Sequence, residues 1–186
     1  MNKGLGAPQL FTKRLYIRLI DFNDLEAFFN ICRQPKVTQY LTFEPHQYLS
    51  DTYRVIENML RSYYIGQSVN FAIFLQSNHC LIGSASLTFN NLNHSAEIGY
   101  LLDSFYWNQG YMTEAIQSLI EIAFEYYQVD FLYAKHILEN VASQKIIEKM
   151  HFQKIGIHEK AFYKNHHAYT IVEYQLTKKE YFLNKK

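Results

Sequence analysis

One glycine lies in a segment whose residues could bind an anion. Residues 107–112 read Trp-Asn-Gln-Gly-Tyr-Met and connect a predicted strand to a predicted helix. Glycine at such a turn lets backbone N–H groups approach an anion, and a helix start adds partial positive charge. A pyrophosphate would fit at Gly110, but one glycine at such a turn more often serves ordinary turn chemistry. No Gly-Lys-Ser/Thr follows, and the three glycines of a dinucleotide fingerprint are missing, which argues against ATP and NAD.

The flanking elements would position this segment. Residues 96–102 predict a strand, and residues 129–137 predict another. Between them, from Thr113 onward, apolar side chains recur at helical spacing: Ile116, Leu119, Ile120, Ala123, Phe124 and Tyr127. A strand, loop, helix and strand in this order favour parallel pairing of the two strands. Residues 96–137 are therefore the predicted functional centre.

The rest of the chain predicts a mixed α/β sheet. Further strands are predicted at residues 15–19, 70–76, 81–89, 152–157 and 169–176. Two helices are predicted after the first strand, one capped by Asp21 and ended by Pro35, the other capped by Ser50. A short helix is predicted to begin near Asn140. No linker or repeat divides the sequence, so residues 1–186 are expected to form a single domain.

Composition limits the class of partner. The 186 residues include 18 Lys and Arg against 17 Asp and Glu, so neither nucleic acid nor an anionic membrane is expected as a partner. No apolar run approaches the roughly 18 residues of a membrane helix, and no signal peptide is seen, so a cytoplasmic location is expected. Cys32 and Cys80 predict plain thiols in a reducing compartment. His166 and His167 have no carboxylate or cysteine at ligand spacing, so we expect a polar turn and no metal.

Five segments, in this order and spacing, carry a family resemblance. They are residues 15–18, 96–102, 106–115, 139–143 and 149–152. The second and third resemble the central motif of the GNAT superfamily of N-acetyltransferases, of the RimJ/RimL type. The fourth and fifth resemble its Asn-x-x-Ser helix start and its Lys-x-Gly-Phe ending. Trp107, Met112 and His151 depart from the common pattern, but the similarity spans nearly the whole chain.

The resemblance implies acetyl-CoA as cosubstrate and a mixed, mostly antiparallel sheet with a central β-α-β unit and flanking helices. By this resemblance, the backbone from Gln109 to Thr113 would hold the pyrophosphate, and the strand from Tyr100 to Leu102 would pair with the pantetheine arm. Asn140 would hydrogen-bond that arm, or cap its helix, or both. The implied cofactor residues are Tyr100, Leu101, Leu102, Gln109, Gly110, Tyr111, Met112, Thr113, Asn140 and Ser143.

Acetyl transfer requires a neutral amine, a donor to the developing oxyanion and a proton for the departing thiolate. Glu97 is the candidate base, because alternate residues of its strand can face the cleft; a solvated strand carboxylate is the alternative, as is a bound water acting as the base. Ser143 is the candidate acid, with a helix-stabilising role as its alternative. The acid tyrosine of other GNAT branches would fall at Ile147. Tyr174 recurs as a tyrosine in the resembled pattern, although a core role is the alternative.

The resemblance favours the α-amino group of a protein or peptide N-terminus as acceptor. A polyamine or an aminoglycoside stays open as the acceptor, because related folds accept both. The acceptor cleft is predicted between residues 38–48 and 160–169, where Glu44 and Glu159 are the few carboxylates and a polycation would need more. The rival class is a catalytically idle sensor that only binds an acyl-CoA. A homodimer is left open.

Overall fold

The structure is a computed structural model of the chain and describes residues 6–185. Its strands are β1 (Leu10–Phe11), β2 (Leu15–Leu19), β3 (Ser68–Leu75), β4 (Leu81–Asn90), β5 (Ser95–Leu102), β6 (Phe131–Ile137), β7 (Gln153–Lys164) and β8 (His167–Thr177). Its helices are α1 (Leu25–Cys32), α2 (Pro35–Thr38), α3 (Leu49–Tyr64), α4 (Tyr111–Glu125), α5 (Val141–Lys149) and α6 (Lys178–Asn184). Within residues 6–185, none of these helices has the length and apolar character needed to cross a bilayer.

The eight strands form one sheet in the order β1-β2-β3-β4-β5-β6-β8-β7. Strands β5 and β6 run parallel, and the other neighbouring pairs of this sheet are antiparallel. A parallel pair requires a crossover connection, and α4 supplies it. The predicted mixed, mostly antiparallel sheet with a central β-α-β unit is therefore confirmed.

Helices cover both faces of this sheet. On one face, α4 buries Leu119 and Phe124 in a cluster that also contains Ile98 of β5. On the other face, α1 and α3 bury Phe28 and Ile56. Fully burying side chains of this size contributes roughly 1.5–3 kcal/mol each. The packing of α4 therefore fixes β5, the strand that leads to the predicted functional centre, whereas α1 packs on β4 and α3 packs on β3.

The start of one helix differs from the predicted one, and the end of α1 before Pro35 agrees with the prediction. Helix α3 begins one residue before Ser50, because the Asp51 carboxylate accepts hydrogen bonds from the backbone N–H groups of Gln47 at 3.0 Å and Tyr48 at 2.9 Å. The predicted Ser50 cap is therefore wrong. Pro35 follows the end of α1 and also begins α2, where its missing N–H costs nothing because a first helical residue has no intrahelical acceptor.

The last hairpin is longer than predicted. Strands β7 and β8 meet at Asn165 and His166, whose φ angles of 50° and 60° suit a tight two-residue turn. The polar turn is thus one residue earlier than expected, and His167 begins β8. Most residues of β7 are exposed, so its sequence carries little of the alternation that predicts a strand. The short β1 and the C-terminal α6 were not predicted.

Candidate active site

A wedge opens in the sheet where β5 and β6 separate. Their pairing ends at Ile98 and Ala134, although β5 continues to Leu102 and β6 continues to Ile137. On the wedge side, the backbone polar groups of residues 99–102 have no sheet partner. Such groups favour an extended ligand that can pair with the strand. The β-α-β unit therefore places an open strand edge beside the start of α4.

A cavity of about 520 Å³ lies in this wedge, a volume typical of small-molecule sites. Nine of the ten predicted cofactor residues line it: Tyr100, Leu101, Leu102, Gly110, Tyr111, Met112, Thr113, Asn140 and Ser143. Gln109 belongs to the same loop but is not part of the lining, and neither is Glu97. The structure thus places the predicted cofactor residues around one cavity, whereas the predicted base Glu97 lies apart from them.

The loop before α4 has the geometry of an anion site. Asn108 and Gly110 have φ angles of 60° and 79°, in the left-handed region that favours glycine. The amide of Glu114 donates to the Gly110 carbonyl at 3.1 Å. The N–H groups of the three preceding residues, 111–113, lie in the first turn and have no intrahelical acceptor. These N–H groups and the positive end of the helix dipole favour a bound anion.

The two departures from the family pattern in this loop have structural roles. The Met112 side chain is 5% exposed and packs in the main core, so most of its volume lies outside the cavity. Trp107 lines the cavity, and its indole N–H donates to the Leu102 carbonyl at 2.8 Å. This hydrogen bond ties the loop to the end of β5.

Arg14, which the sequence did not single out, holds this loop from the N-terminal side. Its backbone N–H and its Nε donate to the two carboxylate oxygens of Glu114 at 2.8 Å and 2.7 Å. Its Nη1 donates to the Gln109 carbonyl at 3.0 Å, and its guanidinium lies 4.2 Å from the centroid of the Tyr111 ring. Thr12 Oγ1 also donates to Glu114, at 2.5 Å. Burial opposes ionisation of Glu114, but the hydrogen bonds from Thr12 and Arg14 hold its pKa below the ordinary value.

The start of α5 places two hydroxyl groups in contact at the cavity wall. Asn140 caps the helix, since its Oδ1 accepts from the Ser143 N–H at 3.2 Å. The Ser143 Oγ lies 2.8 Å from the Tyr100 Oη of β5. Burial raises the pKa of Tyr100 to about 12, although the hydrogen bond with Ser143 opposes this. The phenol is therefore protonated at neutral pH and can serve as a hydrogen-bond donor.

Two other candidate positions lie in the core. Ile147, at the position of the acid tyrosine in other GNAT branches, is 2% exposed and offers no proton. Tyr174 is also buried, with its hydroxyl 3.4 Å from His136 Nε2. Burial raises the pKa of Tyr174. The surroundings of Tyr174 therefore favour a role in core packing.

Glu97 lies on the opposite face of β5 from Tyr100. Its side chain is 47% exposed, and its carboxylate accepts from Lys135 Nζ at 2.9 Å. Lys135 also lies 3.4 Å from Glu173, which is paired with His158 at 3.0 Å. The assignment of Glu97 as the base stays a prediction. Within residues 6–185, no group of three or more His, Cys, Asp or Glu side chains is arranged to hold a metal ion.

Lys164 connects the two segments that were predicted to flank the acceptor. Its ammonium group donates to the backbone carbonyls of Thr38, Leu41 and Phe43 at 2.7, 2.9 and 2.7 Å. The Lys164 side chain is only 7% exposed, and the Glu44 carboxylate lies 4.0 Å away. The β7–β8 hairpin is thus attached to the segment that follows α2. Residues 39–41 of that segment line the cavity.

The wedge, the helix start beside it and the mixed sheet together define an α/β protein with a ligand site where two parallel strands separate. Residues 14–153 match the GNAT acetyltransferase domain. The chain therefore belongs to the GNAT family and is an N-acetyltransferase.

Relatives agree with this assignment. An uncharacterised N-acetyltransferase, p20 of Bacillus licheniformis, is 30% identical over 149 residues, which cover 80% of this chain and 84% of p20. RimL, an α-N-protein acetyltransferase of ribosomal L7/L12 solved with coenzyme A, superposes with a TM-score of 0.85 and 22% identity, covering 91% of this chain and 98% of RimL. The acetyltransferase MccE, solved with acetyl-CoA and AMP, has a TM-score of 0.82 and 19% identity, covering 89% of this chain and 93% of MccE. At these identities, the two solved structures show the shared fold.

Proposed function

We propose that this N-acetyltransferase moves the acetyl group of acetyl-CoA to the α-amino group of a protein or peptide N-terminus. The observation that carries the proposal is the wedge between β5 and β6, where an open strand edge, a helix start with free N–H groups and a Tyr-Ser hydroxyl pair line one cavity. We further propose that residues 1–186 act as one domain and that the reaction takes place in the cytoplasm. A homodimer stays a prediction.

The cavity fits the chemistry of acetyl-CoA. The pantetheine arm is an extended chain with two amides, which suits the unpaired edge at residues 100–102. The pyrophosphate suits the backbone N–H groups of residues 109–113 at the start of α4. Asn140 faces the arm from the other wall, where its side chain also caps α5. These are the residues that we propose hold the cosubstrate.

The proposed chemistry divides between two protein groups. The amine must lose a proton, because only its neutral form has the electron pair that forms the new N–C bond. We assign this proton to Glu97 or to a water that Glu97 orients. As the C–S bond breaks, its electron pair stays on sulfur, and Ser143 supplies the proton. Tyr100 is 2.8 Å from the Ser143 hydroxyl and can donate to it as that proton leaves.

The charges around the cavity favour a peptide acceptor over a polycation. Among the described residues that line it, Glu139 is the one carboxylate, whereas Lys36 and Lys145 are both cationic. A polyamine or an aminoglycoside carries several positive charges and would be repelled by this wall. A peptide N-terminus brings one amine and a neutral backbone. This balance supports a peptide acceptor.

The test is an amine-dependent assay of thiol release from acetyl-CoA. The purified protein is incubated with acetyl-CoA and either a pool of peptides with free N-termini, spermidine or an aminoglycoside. We expect release with peptides and a fall of about 10²-fold in Glu97→Gln, the usual contribution of a general base. Glu121→Gln is the matched control, because Glu121 is an exposed α4 carboxylate outside the cavity lining that also lies near a lysine, 3.6 Å from Lys185 Nζ.

Three other outcomes would change the proposal. Release with spermidine or the aminoglycoside alone would replace the peptide with a small amine. Tight binding of coenzyme A without release from any amine would identify a sensor. Undiminished release in Glu97→Gln would transfer the role of base to a water molecule held by other groups.

A further inference from the structure

The proposed pyrophosphate site contains a carboxylate in an unfavourable place. Glu114 lies in the first turn of α4, close to the N–H groups that would hold the anion. An ionised carboxylate there repels a bound phosphate and weakens the attraction of the helix N-terminus. The hydrogen bonds around Glu114 keep it ionised at neutral pH. Binding of a pyrophosphate therefore requires a group that neutralises this charge.

Arg14 is placed to provide that neutralisation. Its Nε and its backbone N–H occupy both oxygens of the Glu114 carboxylate, and Thr12 adds a third hydrogen bond. The ion pair is formed by a side chain from before β2 and one from α4, which are separated by 100 positions. Arg14 thus compensates the negative charge of Glu114 directly beside the loop.

The same guanidinium also fixes the loop itself. Nη1 donates to the Gln109 carbonyl at 3.0 Å, and this bond holds the carbonyl on the Arg14 side of the loop. Its plane lies over the Tyr111 ring at 4.2 Å. A Cβ added to Gly110 would lie 3.5 Å from Nη2, so the guanidinium reaches the glycine as well. Three consecutive parts of the loop, at residues 109–111, are therefore in contact with one side chain.

We propose that Arg14 is a positioning residue for the pyrophosphate of acetyl-CoA, since it neutralises Glu114 and holds the Gln109 carbonyl away from the anion. This inference rests on the proposed function. Arg14 would affect binding of the phosphates of the cosubstrate, and it would take no part in the acetyl transfer itself. The effect of Arg14 must therefore depend on whether the acyl donor carries a pyrophosphate.

The experiment compares two acyl donors in the wild type and in Arg14→Met, which keeps the packing on Tyr111 but removes the charge. The donors are acetyl-CoA and S-acetyl-pantetheine, which has the same thioester and arm but no phosphate. We expect the KM for acetyl-CoA to rise about ten- to thirtyfold, because the unpaired Glu114 carboxylate would repel the partly exposed pyrophosphate. The kcat should stay within about threefold of the wild-type value. The KM for S-acetyl-pantetheine should change less than about twofold, because that donor has no anion to repel.

Further variants separate electrostatics from folding. Arg14→Met with Glu114→Gln should recover most of the lost affinity, because no unpaired carboxylate remains. Lys13→Met is the matched control, since Lys13 is the neighbouring exposed cation and should leave both KM values unchanged. Thermal unfolding of each variant shows how much of the fold is kept.

The outcomes are distinct. An equal rise in KM for both donors, or no recovery in the double variant, would overturn the role of Arg14 and show a merely structural contact. A wild-type protein that turns over neither donor would instead refute the proposed function. In that case, direct binding of coenzyme A and of pantetheine to wild type and Arg14→Met still tests the inference, and equal losses of affinity for the two would refute it.

Discussion

Replacing Lys164 with Met should release the β7–β8 hairpin from the segment that follows α2. The change keeps the length of the side chain and removes an ammonium that is 7% exposed and bonded to the carbonyls of Thr38, Leu41 and Phe43. A hydrogen bond to a charged group contributes about 1.5–3 kcal/mol, but the ammonium also recovers its hydration on unfolding. We therefore expect the free energy of unfolding to fall by about 2–4 kcal/mol, which is less than the sum of three such bonds.

Urea unfolding, followed by the fluorescence of Trp107 and by circular dichroism, measures this loss. Lys154→Met is the control, because Lys154 lies on the same strand and is exposed; a surface change of this kind should stay within about 0.5 kcal/mol. If the two variants lose equal stability, the three carbonyl contacts do not hold the hairpin. The KM for the proposed peptide acceptor should rise in Lys164→Met alone, because residues 39–41 form part of the cavity wall.

Three other substitutions address the cavity and the fold. Gly110→Asp should lower the affinity for coenzyme A more than about tenfold in calorimetry, because φ of 79° strains a side chain and the new charge repels the pyrophosphate; unchanged affinity would contradict the loop assignment. Tyr100→Phe should lower kcat about tenfold and leave the KM for acetyl-CoA within about twofold, whereas a change in KM alone would limit Tyr100 to binding. Burial lowers the pKa of His46, so the unfolded state takes up more protons than the folded state as pH falls below about 6.5. Urea titrations from pH 7 to pH 5 should therefore show a smaller loss of stability in His46→Gln than in the wild type. Equal losses in the two proteins would refute this.

The fold of the central unit could be predicted because each of its elements has a local pattern. Residues 96–102 predict β5, helical spacing predicts α4, and Gly110 marks the turn between them. Helix starts were less predictable where the cap comes from an unexpected residue. Asp51 accepts bonds from two upstream amides, which moves the start of α3 ahead of Ser50. Such a cap depends on side-chain geometry that residue type alone does not specify.

The candidate site was predictable only in part, for a physical reason. Its backbone contacts follow from the loop and helix start, and nine of ten residues line one cavity. The contacts between distant segments have no local pattern: Arg14 meets Glu114 across 100 positions, and Tyr100 meets Ser143 across 43. Topology brings these pairs together. The similarity of separated motifs indicated that they belong to one site, but it did not indicate which side chains touch.

The two proposed proton-transfer groups lie on opposite faces of β5. Tyr100 and Ser143 lie on the face packed by α4 and α5, whereas Glu97, three positions earlier, lies on the other face. In the tetrahedral intermediate the nitrogen and the sulfur are separate substituents of the acyl carbon, so the base and the acid must reach two different atoms. Beyond Ile98 the β6 side of β5 is unpaired, whereas β4 stays paired with β5 as far as Leu102. Glu97 precedes this opening and is paired with Lys135, so the amine must displace that lysine or act through a water beside it.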